Sequence, residues 1–347
     1  MQDTPLKLGF HAVAEWEKHS ALWLAWPYDE ITFPDQVEKV EKIYIEIIKS
    51  IYESDPVKLL VLNEDMKKKA VRLLKEASVD VDKITFIVTD YADVWTRDYG
   101  PMFLKNTKTK ERAILKWEYN AYGKFPELLK DNKVVLNLKK AGAFGNEKIF
   151  MPRIIMEGGS LEVNGEGIVI TTEQCLLHSD RNPDIGKEKI EDILKNYLGV
   201  KKIIWLKNGI VNDHTDGHID DIAKFVSTDT VLCGYEEDPN DPNFEILKSA
   251  YEILEKSTDK NENPIKIIKL PMPHMNYDNG EKAPASYANF YIGNRVVLVP
   301  TFGDENDDLA IRIIQSVFPD REVTGIDCRD ILYGGGAIHC LTRDEPV

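Results

Sequence analysis

The sequence predicts an α/β protein in which a strand–strand–helix–strand unit recurs around a ring, a five-bladed α/β propeller. Three observations predict it. Four hairpin patterns have turns near residues 108, 165, 228 and 293; most are followed by a helix and a further strand; and the two ends of the chain can supply a fifth unit. The competing reading of the same elements is a doubly wound open sheet in two domains. Hairpins at such regular intervals favour the ring, taken as one domain over residues 1–347.

In chain order, the apolar run ALWLAWP (21–27) reads as a buried strand stopped by Pro27. Residues 36–54 place Val37, Val40, Ile43, Ile47 and Ile51 at helical spacing. A strand at 57–62, a helix at 66–77 and a strand at 84–88 follow. The hairpins are 102–105 with 113–119, 160–163 with 168–172, 222–226 with 231–233, and 289–292 with 295–299. The second has the strongest turn signal, because Asn164-Gly165 supplies the residues that tolerate φ > 0. Helices at 187–197, 244–256 and 309–318 lead to strands at 200–206, 265–271 and 322–326. Pairing of 338–342 with 21–27 would close the ring, since radial repetition leaves few open edges. Trp23, Trp26 and Trp117 are expected in the core.

Composition limits the partners. A net charge of −15 and a pI near 5.0 argue against a nucleic-acid surface and suit a small cation. No run approaches the length of a membrane span, and the first ten residues lack a basic region followed by a hydrophobic core. A cytoplasmic protein without membrane contact is the expectation, with a homo-oligomer (dimer or tetramer) as the expected assembly. Four cysteines, at 175, 233, 328 and 340, have no close spacing and read as reduced thiols. Cys175, Cys233 and Cys328 are expected to be inert core residues.

Cys340 differs from them, because it follows Gly334-Gly335-Gly336. The residues before each hairpin's first strand are chemically unusual: Trp95 to Pro101, Met156-Glu157-Gly158-Gly159, Asp213 to Asp221, Pro284 to Tyr287, and Gly334 to Cys340. Fivefold symmetry would bring these segments to one axis, joining a thiol and a histidine with Asp98, Glu157, Asp216 and Asp220. A thiol with a pKa of about 8.5 needs a cation or an acid/base partner to attack at neutral pH. Carboxylates alone raise that pKa, so the set makes sense if the substrate brings the positive charge. A guanidinium fits best, because its planar N–H fork pairs bidentately with carboxylates. The rival is a metal held by His214 and His218 with Asp216 or Asp220. In isolation Asp98 could be half of a surface ion pair with Arg97, and Glu157 an ordinary turn residue.

The segments HSALWLAWP, WTRDYGP, MEGGSLEVNGEG, TTEQCLLHSDRNP, GHIDDIAKF, ASYANFYIGN and GGGAIHCLT span nearly the whole chain. They resemble the agmatine deiminase and bacterial peptidylarginine deiminase-like family of the guanidino-group-modifying superfamily. The resemblance implies the five-bladed pentein fold and deimination of a small cationic guanidine, most directly agmatine, with no metal or other cofactor. It implies Cys340 as the nucleophile and His218 as the general acid/base. Asp98 and Asp220 would hold the guanidinium, Glu157 would support His218, and Gly335 and Gly336 would shape the pocket's end. One departure concerns the substrate's tail: members specific for agmatine often carry an acidic residue four before the catalytic His, and here it is His214. Asp213, Asp216 and Trp95 are the alternatives for tail recognition. Arginine or peptidyl-arginine deimination, amidino transfer and a non-catalytic binding propeller are the other readings.

Overall fold

The computed structural model describes residues 3–347. Its strands form five separate sheets, and each contains the same connection. An antiparallel pair comes first, and a helix then leads to a parallel third strand. The simplest examples are Glu162–Val163, Ile168–Thr172 and Lys202–Leu206, then Ala223–Phe225, Thr230–Tyr235 and Lys266–Pro271, then Tyr291–Ile292, Val296–Thr301 and Glu322–Asp327. Helices Lys187–Leu198, Phe244–Glu255 and Asp307–Val317 make their crossovers. A further sheet joins Met102–Asn106, Arg112–Leu115 and Lys148–Phe150, with Phe10–Ala12 added on its edge. Its crossover contains the helix Val134–Lys140, which the periodicity did not single out.

The helices form because one stripe of each is apolar. Val37–Ile51 buries Val40, Ile43, Tyr44, Ile47, Ile48 and Ile51, a spacing of three and four residues that faces one side. Glu64–Glu76 begins at Asn63, whose side chain accepts the Met66 amide at 2.9 Å and satisfies a donor that has no partner inside the helix. In the hairpin at 164, Asn164 Oδ1 accepts the amides of Glu166 and Ile168, while Gly165 takes φ +69°. Trp23, Trp26 and Trp117 are buried, as expected.

The fifth sheet unites the chain's ends, with the order Arg343–Pro346, His19–Ala25, Val57–Val61, Ile84–Val88. The expected strand at 338–342 is corrected here: Ile338–Leu341 is one turn of helix, and the pairing strand is the following Arg343–Pro346. The sequence RDEP carries three charges and a proline, so it has no strand signature. Tertiary partners compensate each charge. Glu345 accepts Trp23 Nε1 at 2.8 Å and meets Lys58 Nζ at 2.6 Å and Arg112 Nη1 at 2.9 Å. Arg97 bonds Asp344 at 3.1 Å, and Arg343 Nε donates to the carbonyl of Pro101 at 3.0 Å.

Glu345→Ala would strand the Trp23 N–H and two partly buried cations at this seam. A loss of about 3 kcal/mol of folding stability is expected, read as a lower denaturant midpoint at unchanged slope.

Candidate active site

Five segments that are far apart in sequence line a cavity of about 200 Å³. Its wall includes Trp95, Asp98, Tyr122, His214, Thr215, the Gly334-Gly335-Gly336 run and Cys340. Ile31, Asp93, Glu127 and Tyr333 lie along the same wall.

Cys340 sits on the one-turn helix Ile338–Leu341. Two features hold that turn. The Oδ1 of Asn289 accepts the amides of His339 at 2.9 Å and Cys340 at 3.3 Å, while its Nδ2 donates to Cys340 Sγ at 3.1 Å and to Asp221 at 2.9 Å. Before it, Gly335 has φ +94°, and a Cβ there would stand 2.3 Å from the His214 ring. Gly336 packs equally tightly, with Trp95 and Cys340 on its Cβ side. The glycines thus let the backbone turn between His214 and Trp95 without filling the cavity.

Asp98 comes from the short helix Thr96–Tyr99. Gly159 N donates to its Oδ1 at 2.9 Å and the Tyr122 hydroxyl to its Oδ2 at 2.7 Å. His218 and Asp220 flank the start of the turn Ile219–Asp221. His218 Nδ1 is 3.7 Å from Asp98 and 3.9 Å from Asp220, and its Nε2 is 4.0 Å from Glu157. Both ring nitrogens of His218 and Asp220 Oδ1 are buried without a hydrogen-bond partner in the protein. Gly159 is essential to this convergence: a Cβ there would lie 2.6 Å from His218 Nδ1 and 2.9 Å from both Asp220 and Asp98.

The electrostatics follow from burying many carboxylates together. Burial raises the Asp98 carboxyl, and Asp220 nearby pushes the same way. For His218, burial favours the neutral ring, but Asp98 and its neighbours win and raise its pKa well above the usual value. Burial, then Asp220, Asp221 and Asp98, raise the Cys340 thiol well above its ordinary range, against the Asn289 hydrogen bond. The thiol donates to Asp220 Oδ2 at 3.6 Å.

Other residues singled out in the sequence fall differently. Glu157 is fully buried, and Arg181 Nε bonds both of its oxygens at 3.1 Å. Asp216 is engaged by Arg181 at 3.0 Å and by Lys124, and Asp213 by the amides of Thr215, Gly217 and His218. These two acids brace the His218 loop and do not line the cavity. His214 and Trp95 do line it; burial lowers the His214 pKa. The metal arrangement on His214 and His218 is not assembled. Among the described residues the three ligand atoms that gather within 4.8 Å belong to Glu157, Cys175 and His218. Cys175 therefore departs from its expected role as plain core, since its thiol abuts the site histidine. Asn289, Tyr122 and Arg181 were missed, although Asn289 and Arg181 lie inside the motifs ASYANFYIGN and HSDRNP.

A buried, protonated thiol is a slow nucleophile. Alkylation of Cys340 by iodoacetamide is expected to be slow at about pH 7 and to rise steeply above pH 9. Mass spectrometry of the Cys340 peptide checks this, and labelling at a free-thiolate rate near neutrality would contradict it.

Comparison with known proteins places this site in a family. Residues 11–346 match the model of the Porphyromonas-type peptidyl-arginine deiminase family. A Legionella pneumophila (strain Paris) protein provisionally named agmatine deiminase is 38% identical over 349 residues, covering 100% of this chain and 98% of the relative. One from Streptococcus mutans with the same provisional name is 37% identical, covering 99% of this chain and 98% of the relative. The solved structure of Enterococcus faecalis agmatine deiminase superposes with a TM-score of 0.90 at 33% identity, over 100% of this chain and 98% of that one. A match across the full fold, with a buried thiol among carboxylates at its centre, identifies the chain as a member of the Porphyromonas-type peptidyl-arginine deiminase family.

Proposed function

We propose that this protein is a deiminase that hydrolyses agmatine to N-carbamoylputrescine and ammonia. The observation that carries the reading is the convergence of Cys340 Sγ and Asp98, which line one cavity, with His218 and Asp220 buried directly against them. Its relatives' names supply the substrate. The five sheets are read as blades of one pseudo-fivefold propeller domain over residues 1–347, with the site on its axis. The protein is placed in the cytoplasm, in polyamine synthesis. Assembly as a dimer or tetramer is the expectation for sedimentation analysis.

The guanidinium binds between Asp98 and Asp220 and neutralises the field that otherwise keeps the thiol protonated. The thiol proton is lost to solvent, and the thiolate attacks the guanidinium carbon, forming a C–S bond as a C=N electron pair moves onto nitrogen. His218, already protonated among the carboxylates, gives its proton to one nitrogen, the C–N bond breaks, and ammonia leaves a thiouronium on Cys340. Neutral His218 next takes a proton from the entering water as oxygen bonds to carbon. Collapse of this adduct breaks the C–S bond, and the hydroxyl proton passes to the departing sulfur, which restores the Cys340 thiol and leaves the ureido carbonyl. Glu157, itself fixed by Arg181, steadies the far side of the His218 ring.

Tail recognition has to differ from an acid at position 214. His214 is a neutral wall, and Asp213 and Asp216 are engaged elsewhere. The remaining carboxylates in the cavity wall are Asp93 and Glu127. Burial pushes the Asp93 carboxyl up to about 6, so it is still mostly ionised at neutral pH and a substrate ammonium beside it would hold it so. These two acids are the reading for the amine end.

An ammonia-release screen over agmatine, arginine, peptidyl-arginine and shorter or longer guanidinoalkylamines tests the function. Agmatine is expected to be preferred, and absence of ammonia from all of them defeats the reading. Cys340→Ala is expected to lose about 10³-fold or more in kcat with its fold intact. Exhaustive EDTA treatment is expected to leave activity unchanged, and a chelator-sensitive enzyme would favour metal chemistry.

A further inference from the structure

We infer that His339 is a positioning residue, a bridge that holds Asp220 in its working orientation and ties it to a second buried charge cluster around Glu15. The inference rests on the deiminase reading above and concerns a residue for which neither the motifs nor the comparisons supply a role.

His339 immediately precedes Cys340, yet it is not on the wall of the substrate cavity and instead lines a separate, smaller cavity with Glu15, Arg97 and Asp344. Its Nδ1 lies 2.7 Å from Asp220 Oδ2 and its Nε2 lies 2.8 Å from Glu15 Oε2. Two carboxylate acceptors, one at each nitrogen, call for a ring that donates from both edges. The ring is 2% exposed, so these are hydrogen bonds made away from water. Asp220 Oδ2 is also the atom that receives the Cys340 thiol at 3.6 Å. One oxygen of Asp220 is therefore fixed by His339, while Oδ1, which has no hydrogen-bond partner in the protein, lies 3.9 Å from His218 Nδ1.

Glu15 anchors the other end of the bridge. It accepts Arg97 Nη2 at 2.8 Å and the amide of Ile292 at 2.9 Å, and Lys224 Nζ is 3.1 Å away. Those groups come from three different sheets or their leading segments, so the bridge ties Asp220 to the junction of the whole assembly. The groups facing Asp220 are His339, His218, Lys224 and Arg97 on the positive side, with Asp98, Asp221 and the Cys340 thiol opposing. Burial raises the Asp220 carboxyl, but the His339 hydrogen bond, then its charge, reverse this and bring it below its usual range.

The sign for catalysis follows. Removing the bridge raises the pH at which Asp220 ionises, so the acid limb of kcat/KM moves to higher pH. An amide can separate position from bulk, because Asn places its donor near Nδ1, whereas Gln reaches toward Nε2. With agmatine as substrate, His339→Asn is expected to remain within about tenfold of wild-type kcat/KM. His339→Gln is expected to lose about a hundredfold, with the acid limb shifted up by about one pH unit. Glu15→Gln, which keeps an acceptor for the ring but removes the charge, is expected to shift the limb by less than His339→Gln does. Equal losses in the Asn and Gln variants, or a folded Gln variant with an unshifted acid limb, would overturn the proposal. If the His339 variants do not fold, Glu15→Gln decides: an unmoved acid limb overturns the proposal and a shifted one supports it. A wild-type enzyme that releases no ammonia from agmatine would instead overturn the deiminase reading, which separates the two failures.

Discussion

Everything at the centre of this molecule depends on burying more acid than an apolar interior tolerates. Glu15, Asp98, Glu157, Glu162, Asp220 and Asp221 are all at least nine-tenths buried. An isolated buried carboxylate is costly enough to take up a proton, so each needs a cation or several donors. Arg97, Arg181 and Lys224, also buried, supply much of that compensation from the rear of the site. At the front His218 faces Asp98 and Asp220, and the acids still keep the thiol of Cys340 protonated. The enzyme at rest is thus electrostatically incomplete in a way that a guanidinium completes. Under the proposed function, binding of that cation and formation of the thiolate would be one event.

The same constraint shapes the backbone. Acids can converge only if the chain leaves room between them, and Gly159 does so where any side chain would meet His218, Asp220 and Asp98 at once. Gly335 and Gly336 do the equivalent beside His214, Trp95 and Cys340. Asn289 then clamps the nucleophile's turn from the neighbouring sheet. Each of these residues holds a position set by another segment, so none acts within its own stretch of sequence.

Much of the architecture was legible in the residues. Hairpin and crossover helix patterns are local, because the two-residue period of a strand and the spacing of a helix's apolar stripe are written in consecutive positions. Val37–Ile51, Lys187–Leu198, Phe244–Glu255 and Asp307–Val317 fall within a few residues of their expected bounds. The short edge strand Phe10–Ala12 and the helix Val134–Lys140 were not legible, being too short for a period to emerge. The last strand was misplaced by several residues, since Arg343–Pro346 is stabilised by Trp23, Lys58, Arg97 and Arg112 and not by its own propensity.

For the site, the sequence by itself determined the chemical inventory: a lone thiol after a glycine run, a histidine between acids, and a negative chain suited to a cation. Those are matters of residue type and near neighbours. Only the tertiary structure decided which acid serves which purpose. It set Asp213 and Asp216 to bracing a loop, Glu157 to Arg181, and Asp93 and Glu127 to the cavity wall. It also brought Cys175 against His218 and set His339 to bridge Asp220 and Glu15. The reason is physical: a carboxylate's function depends on its distance to other charges and its access to water, and both are settled by contacts between residues hundreds of positions apart.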